Sequence, residues 1–150
     1  MLRQVTRGAL AGAAGVTALN AATYADMALR GRPASRTPEE SVERVSDKAG
    51  VDLPGGPVER ENRVSGVGAV SGIGAGVAVG AAYGLVRSWG VRPGRMPATL
   101  LLTLAAMVAG NGPLTALRVS DPRQWAPADW AADVLPHMAY GLVTAATYDS

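Results

Sequence analysis

Charged side chains are gathered into blocks along this chain, and the intervals between them are apolar. No Asp, Glu, Lys or Arg falls between Arg7 and Asp26, Arg63 and Arg87, Arg95 and Arg118, or Asp133 and Asp149, which leaves neutral windows of 18, 23, 22 and 15 residues. At about 1.5 Å of rise per helical residue, the middle two reach roughly 34 Å, enough for a hydrocarbon core about 30 Å thick. The pattern predicts an all-α chain: one membrane domain over residues 1–150, built as a bundle of four transmembrane helices. The spans are expected at about 8–29, 64–88, 97–117 and 130–147, with a polar, partly helical loop over 30–63.

The second window holds the stretch GVGAVSGIGAGVAVGAAYG, in which Gly68, Gly72, Gly76, Gly80 and Gly84 follow one another at a spacing of four. In water each internal glycine costs a helix about 1 kcal/mol relative to alanine. In lipid the backbone has no water to turn to, so the helix persists. Residues four apart drift only about 40° around a helix, so these glycines line one slowly winding groove, a glycine zipper into which another helix can pack closely. Gly8 and Gly12 repeat the spacing, with Gly15 beside them. Packing within one chain is one use of such a groove, and self-association between chains is another.

A nucleotide-binding loop is the competing reading of the same residues, because GAVSGIG fits the G-x-x-x-G-I-G of short-chain dehydrogenases. Such a loop must follow a buried apolar strand that aims it at the pyrophosphate. Here it follows the charged ERENRVS, and the Tyr-x-x-x-Lys of that family is missing, since Lys48 is the only lysine and position 44 is Arg44.

Between the first two spans, RTPEESVERVSDKAG carries helix-start chemistry: Thr37 as N-cap, Pro38 at the first helical position, Glu39 in the first turn and Glu40 completing a capping box. Gly50 is placed to end that helix, which should lie on the membrane or against the bundle. DLPGGPVEREN then reads as loop. Trp89 follows the second span and Trp125 and Trp130 precede the fourth, as interfacial aromatic belts require. The first 25 residues also have the form of a cleavable signal, with Arg3 and Arg7 ahead of an apolar stretch and small residues at Thr23 and Ala25. Its apolar stretch is long for a signal and three more spans follow.

Composition narrows the function classes. Charged residues make up 17% of the chain, and there is no cysteine, hence no disulfide, thiolate metal site or cysteine nucleophile. The net charge is +2, but the arginines border the apolar windows instead of forming a stripe with interleaved aromatics, which argues against nucleic acid as a partner. One histidine without cysteine makes zinc an unsuitable guest. No catalytic, cofactor-binding or metal-binding set emerges, and enzymatic activity ranks behind the other classes.

Polar groups inside membrane spans are costly and mark structure or function. Asn20, Asp26, Asn111, Asp133, His137 and Tyr140 are the candidates. Pro113, flanked by Gly110 and Gly112 around Asn111, should kink or break the third span and free carbonyls. His137 shares a helix face with Asp133, Tyr140, Gly141 and Thr144, the densest polar cluster of the chain. Two uses fit: a polar cavity for a proton, ion or small solute, or interhelical hydrogen bonds that fix packing.

Through TALNAATYADMALRGRPASRTPEE, ENRVSGVG and ADWAADVLPHMAYGLVTA the chain resembles a group of small, uncharacterised actinobacterial integral membrane proteins. Its small-residue spans and the His-x-x-Tyr-Gly of the fourth are more remotely similar to YagU-type inner-membrane proteins. The resemblance implies a multi-pass protein of the cell membrane and carries over no catalytic role. The expected function is a structural or interaction component of the cell envelope; the alternative is a small transporter or channel-like subunit. The expected partners are the lipid bilayer and a second copy or another membrane protein.

Overall fold

A computed structural model describes all 150 residues. The chain is all-helical: α1 Leu2–Arg30, α2 Thr37–Ala49, α3 Pro57–Ser88, α4 Arg95–Ala116, a single 3-10 turn at Pro122–Gln124, and α5 Pro127–Asp149. α3 and α4 are long and apolar enough to cross a membrane. α1 and α5 are long enough, but their uncharged stretches are diluted by Gly, Thr and the polar candidates, so composition alone does not bring them to that level.

Helix starts and stops follow local chemistry. Gly31 and Gly50 close α1 and α2 at φ +64° and +63°, left-handed values that glycine takes without a Cβ penalty. α3 begins seven residues before the expected span: residues 57–63, read as loop from their charges and the Gly55–Gly56 pair before them, form two turns of helix. Pro57 stands at the first helical position with Glu59 in the first turn, both favourable at a helix N-terminus. α2 starts at Thr37 itself, so the expected Thr37 cap and Glu40 box do not form; instead the Thr37 N–H donates to Ser35 Oγ at 3.3 Å. α4 runs on through Pro113 to Ala116 without a break. That proline lies in the last turn, where its missing N–H interrupts little remaining helix.

α1, α3, α4 and α5 make the bundle. α1 lies between α3 and α5, antiparallel to each, and α4 packs antiparallel against α5 and adjoins α3. The core is small: Tyr140, Leu102, Val64 and Thr144 are the largest fully buried side chains, with Ala11, Ala98, Ala145, Tyr83 and Tyr148 around them. Many large apolar side chains instead face outward, among them Val70 on α3, Leu100, Leu104 and Val108 on α4, and Leu135 and Leu142 on α5. α2 lies across the first half of α3, joined by Arg60 to Glu43 at 3.1 Å and Ser65 to Glu39 at 3.2 Å.

The start of α1, the Trp89–Gly94 turn and the end of α5 meet at one end of the bundle; α2, the 3-10 turn and Trp125 and Trp130 lie at the other. Tryptophans thus mark both ends.

Candidate functional site

The polar candidates separate into four places. Asn111 on α4 donates from Nδ2 to Asp133 Oδ2 on α5 at 2.9 Å. His137, one turn along α5, places Nδ1 2.7 Å from the Asp133 carbonyl oxygen and 3.5 Å from its Oδ1. A carbonyl only accepts, so Nδ1 carries a proton; in the neutral ring Nε2 is therefore an acceptor, and it lies toward Gly110. Asn111, Asp133 and His137 form one polar bridge between α4 and α5 at their join with the tryptophan-bearing linker. No cluster of three or more His, Cys, Asp and Glu side chains is placed to hold a metal.

Tyr140, one turn further along α5, is fully buried and points away from that bridge: its hydroxyl donates to the Gly76 carbonyl oxygen of α3 at 2.6 Å. Asp26 ends α1 in an ion pair with Arg32, Nε to Oδ2 2.5 Å, and a longer one with Arg30 at 3.5 Å. Asn20 is half-buried on α1 and bonds to none of these groups.

The glycines of α3 also divide. A Cβ on Gly80 would lie 2.6 Å from Gly12 Cα and one on Gly12 2.8 Å from the Gly76 carbonyl, and a Cβ on Gly8 would come within 2.9 Å of Gly84 Cα. Gly76, Gly80 and Gly84 therefore face Gly8 and Gly12 of α1, backbone against backbone. Gly68 faces Pro38 of α2, the nearest atom 3.1 Å from a Cβ at that site, and Gly72 has nothing within 4 Å. The antiparallel crossing explains this: α1 and α3 touch where α1 is also rich in glycine. Two further close approaches involve α5: Gly15 of α1 against Thr144 and Tyr140, and Gly141 against the backbone of Thr99 and Thr103 on α4.

A second cluster, not singled out in the sequence, lies at the opposite end of the bundle. Arg87 donates to Tyr83 Oη at 2.8 Å and to Asp149 Oδ1 at 2.9 Å, and its guanidinium stands 4.7 Å from the Tyr148 ring centre. Arg7 stacks on the same ring at 5.3 Å, and Tyr148 Oη donates to Gln4 Oε1 at 2.7 Å. The Tyr83 and Tyr148 rings meet edge to face at 5.1 Å. The i, i+4 spacing of Tyr83 and Arg87 was the one local sign of it; the rest spans the whole chain.

Outside the bundle, Asp121 starts the 3-10 turn and accepts from the Arg123 backbone N–H at 3.1 Å, Arg123 Nε at 3.0 Å, Arg123 Nη2 at 3.1 Å and Gln124 Nε2 at 3.2 Å. The Arg123 hydrogen bonds foremost hold its carboxyl down at about 2. Two polar clefts also lie at this end of the molecule, one of about 720 Å³ between α2 and the start of α3, the other of about 660 Å³ around Asp121 and Trp125.

No protein-family model, no curated protein and no solved structure matches the chain.

Proposed function

We propose that the chain is a four-span integral membrane protein of the cell envelope with a structural or interaction role, in keeping with its resemblance to small actinobacterial membrane proteins. The observation that carries this is the outward apolar surface: Val70, Leu100, Leu104, Val108, Leu135 and Leu142 are all more than half exposed and belong to three neighbouring helices. Water penalises such a belt, whereas lipid does not. α1 and α5 need less apolar surface of their own to cross, because each is covered by two neighbours. Close glycine contacts supply the packing that lipid-immersed helices need in place of a hydrophobic drive.

The interaction partner under this reading is a second copy or another membrane protein seated on the outward face. A washed-membrane experiment tests the membrane reading: at high pH and high salt the chain should stay in the pellet, and its release into the supernatant would overturn it. Reporters at the two ends should both fall on one side of the membrane, as four spans require.

A transporter or channel-like subunit is the second reading, favoured by the unpartnered Nε2 of His137 beside the Asn111–Asp133 bridge. Proton or solute flux in reconstituted vesicles that disappears in Asp133→Asn would establish it over the structural role.

A further inference from the structure

The two ends of the bundle are electrostatically unlike. Arg3, Arg7, Arg87, Arg92 and Arg95 lie at the end formed by the start of α1, the α3–α4 turn and the end of α5, where Asp149 is the one acidic side chain. Asp149 is taken up by Arg87 at 2.9 Å. The other four arginines have no carboxylate within ion-pair distance, and Arg3, Arg92 and Arg95 are exposed. At the opposite end nine basic groups stand among eleven acidic ones, and four of them are paired: Arg30 and Arg32 with Asp26, Arg60 with Glu43, Arg123 with Asp121.

We infer that the arginine end is a docking surface for anionic phospholipid headgroups of the adjoining leaflet. This rests on the membrane reading above. Unpaired guanidiniums at the mouth of an apolar bundle are open to counter-charge, and phosphate accepts their forked donors well. Side chains among the arginines select a lipid surface over a soluble anion or an acidic protein: Leu2, Trp89 and Met96 are 79%, 68% and 71% exposed there. A tryptophan and two aliphatic side chains standing among cations match the headgroup zone, where rings and stems enter between lipids while charges remain at the phosphates. Arg7 is held ready by the Tyr148 ring, which Gln4 fixes in turn.

The experiment uses the full chain purified in neutral detergent, titrated with phosphatidylglycerol, with phosphatidylcholine or with inorganic phosphate, and read by bound-lipid stoichiometry and melting temperature. Phosphatidylglycerol should bind and raise the melting temperature, and phosphatidylcholine and phosphate should not. A near-surface arginine contributes about a fivefold preference for anionic lipid, so Arg92→Gln/Arg95→Gln should weaken phosphatidylglycerol binding by roughly 25-fold. Both residues are exposed and unpaired, so the variant should melt normally in neutral detergent. Arg44→Gln, on exposed α2 at the other end, should bind like the parent chain. Equal effects of the two lipids, an equal effect of free phosphate, or an Arg92→Gln/Arg95→Gln variant that binds unchanged would each overturn the inference while leaving membrane integration standing. Failure of integration itself is read separately, as release on alkaline washing.

Discussion

The hydroxyl of Tyr140 donates to the main-chain oxygen of Gly76, 64 positions earlier in the chain, at 2.6 Å. The bond joins α5 to α3 at a point where the accepting residue has no side chain to hold the ring away. A Cβ at Gly76 would stand 3.4 Å from Tyr140 Cε2 and far closer to Val16. Tyr140→Phe keeps the buried ring and deletes only the bond. It should lower unfolding free energy by about 1 kcal/mol, measured by denaturant titration in detergent, with the helical signal of the folded state unchanged.

The close crossing of α1 and α3 makes Gly80 intolerant of bulk. Gly80→Leu must push Gly12 away and should destabilise by at least the roughly 1–3 kcal/mol typical of overpacking. Gly72→Leu enters open space and replaces a poor helix former, so it should melt at the same temperature or higher. Equal melting temperatures for Gly80→Leu and the parent chain would mean that the two helices do not approach here.

Asn111→Ala removes the donor that spans α4 and α5 and leaves Asp133 with His137 alone. A loss of about 0.6–2 kcal/mol is expected, between the mean for interhelical bonds in lipid and that for bonds to a charged group. A double-mutant cycle with Asp133→Ala should return most of it as coupling; additive losses would show that the two side chains act independently.

Asp121 sets an acid-pH expectation. Its folded value, about 2, lies below the unfolded aspartate value near 3.9. What it contributes is therefore present in full above pH 4 and lost as pH falls through about 2. Carboxyl chemical shifts should give a midpoint near 2 that moves toward 4 in Arg123→Gln. The stability difference between Asp121→Asn and the parent chain should shrink over the same interval.

Arg118 follows α4 at φ +58°, the one non-glycine residue with positive φ. The Val119 and Arg118 N–H groups fold back on the Leu114 and Thr115 carbonyls at 2.9 and 3.1 Å, the arrangement in which helices usually place glycine. Arg118→Gly should raise the melting temperature, in line with about 1 kcal/mol of relieved strain.

Much of the helical layout was legible because charge and hydropathy change at the helix ends: Gly50 is a stop of a recognisable kind, and α3 and α4 carry unbroken apolar windows. The start of α3 was obscured because Gly55, Gly56 and Pro57 are turn residues and helix-start residues alike, and only the following turns decide between them. Arg118 stands where a glycine would have announced the end of α4. At the candidate sites, Asp133 and His137 were readable as neighbours by their spacing of four. Their link to Asn111, the turning of Tyr140 toward Gly76, and the separation of Gly72 from Gly76 depend on where another helix crosses. Local spacing gives the face of a helix and leaves the height of a crossing open.

Because α1 is wedged between α3 and α5, its two sides are completed at different moments of synthesis. α1 leaves the ribosome ahead of every surface that covers it; the glycine crossing with α3 is available after about 80 residues, whereas Thr144, Tyr140 and Tyr148 arrive only with α5. Until then the Gln4 and Gly15 side of α1 faces lipid or water without its partner. A chain interrupted before α5 therefore presents a half-covered glycine-rich helix, the form of exposed surface on which proteases and chaperones act. Completion of the bundle and escape from that surveillance are the same event, set by a helix that begins at Pro127, long after the one it protects has ended at Arg30.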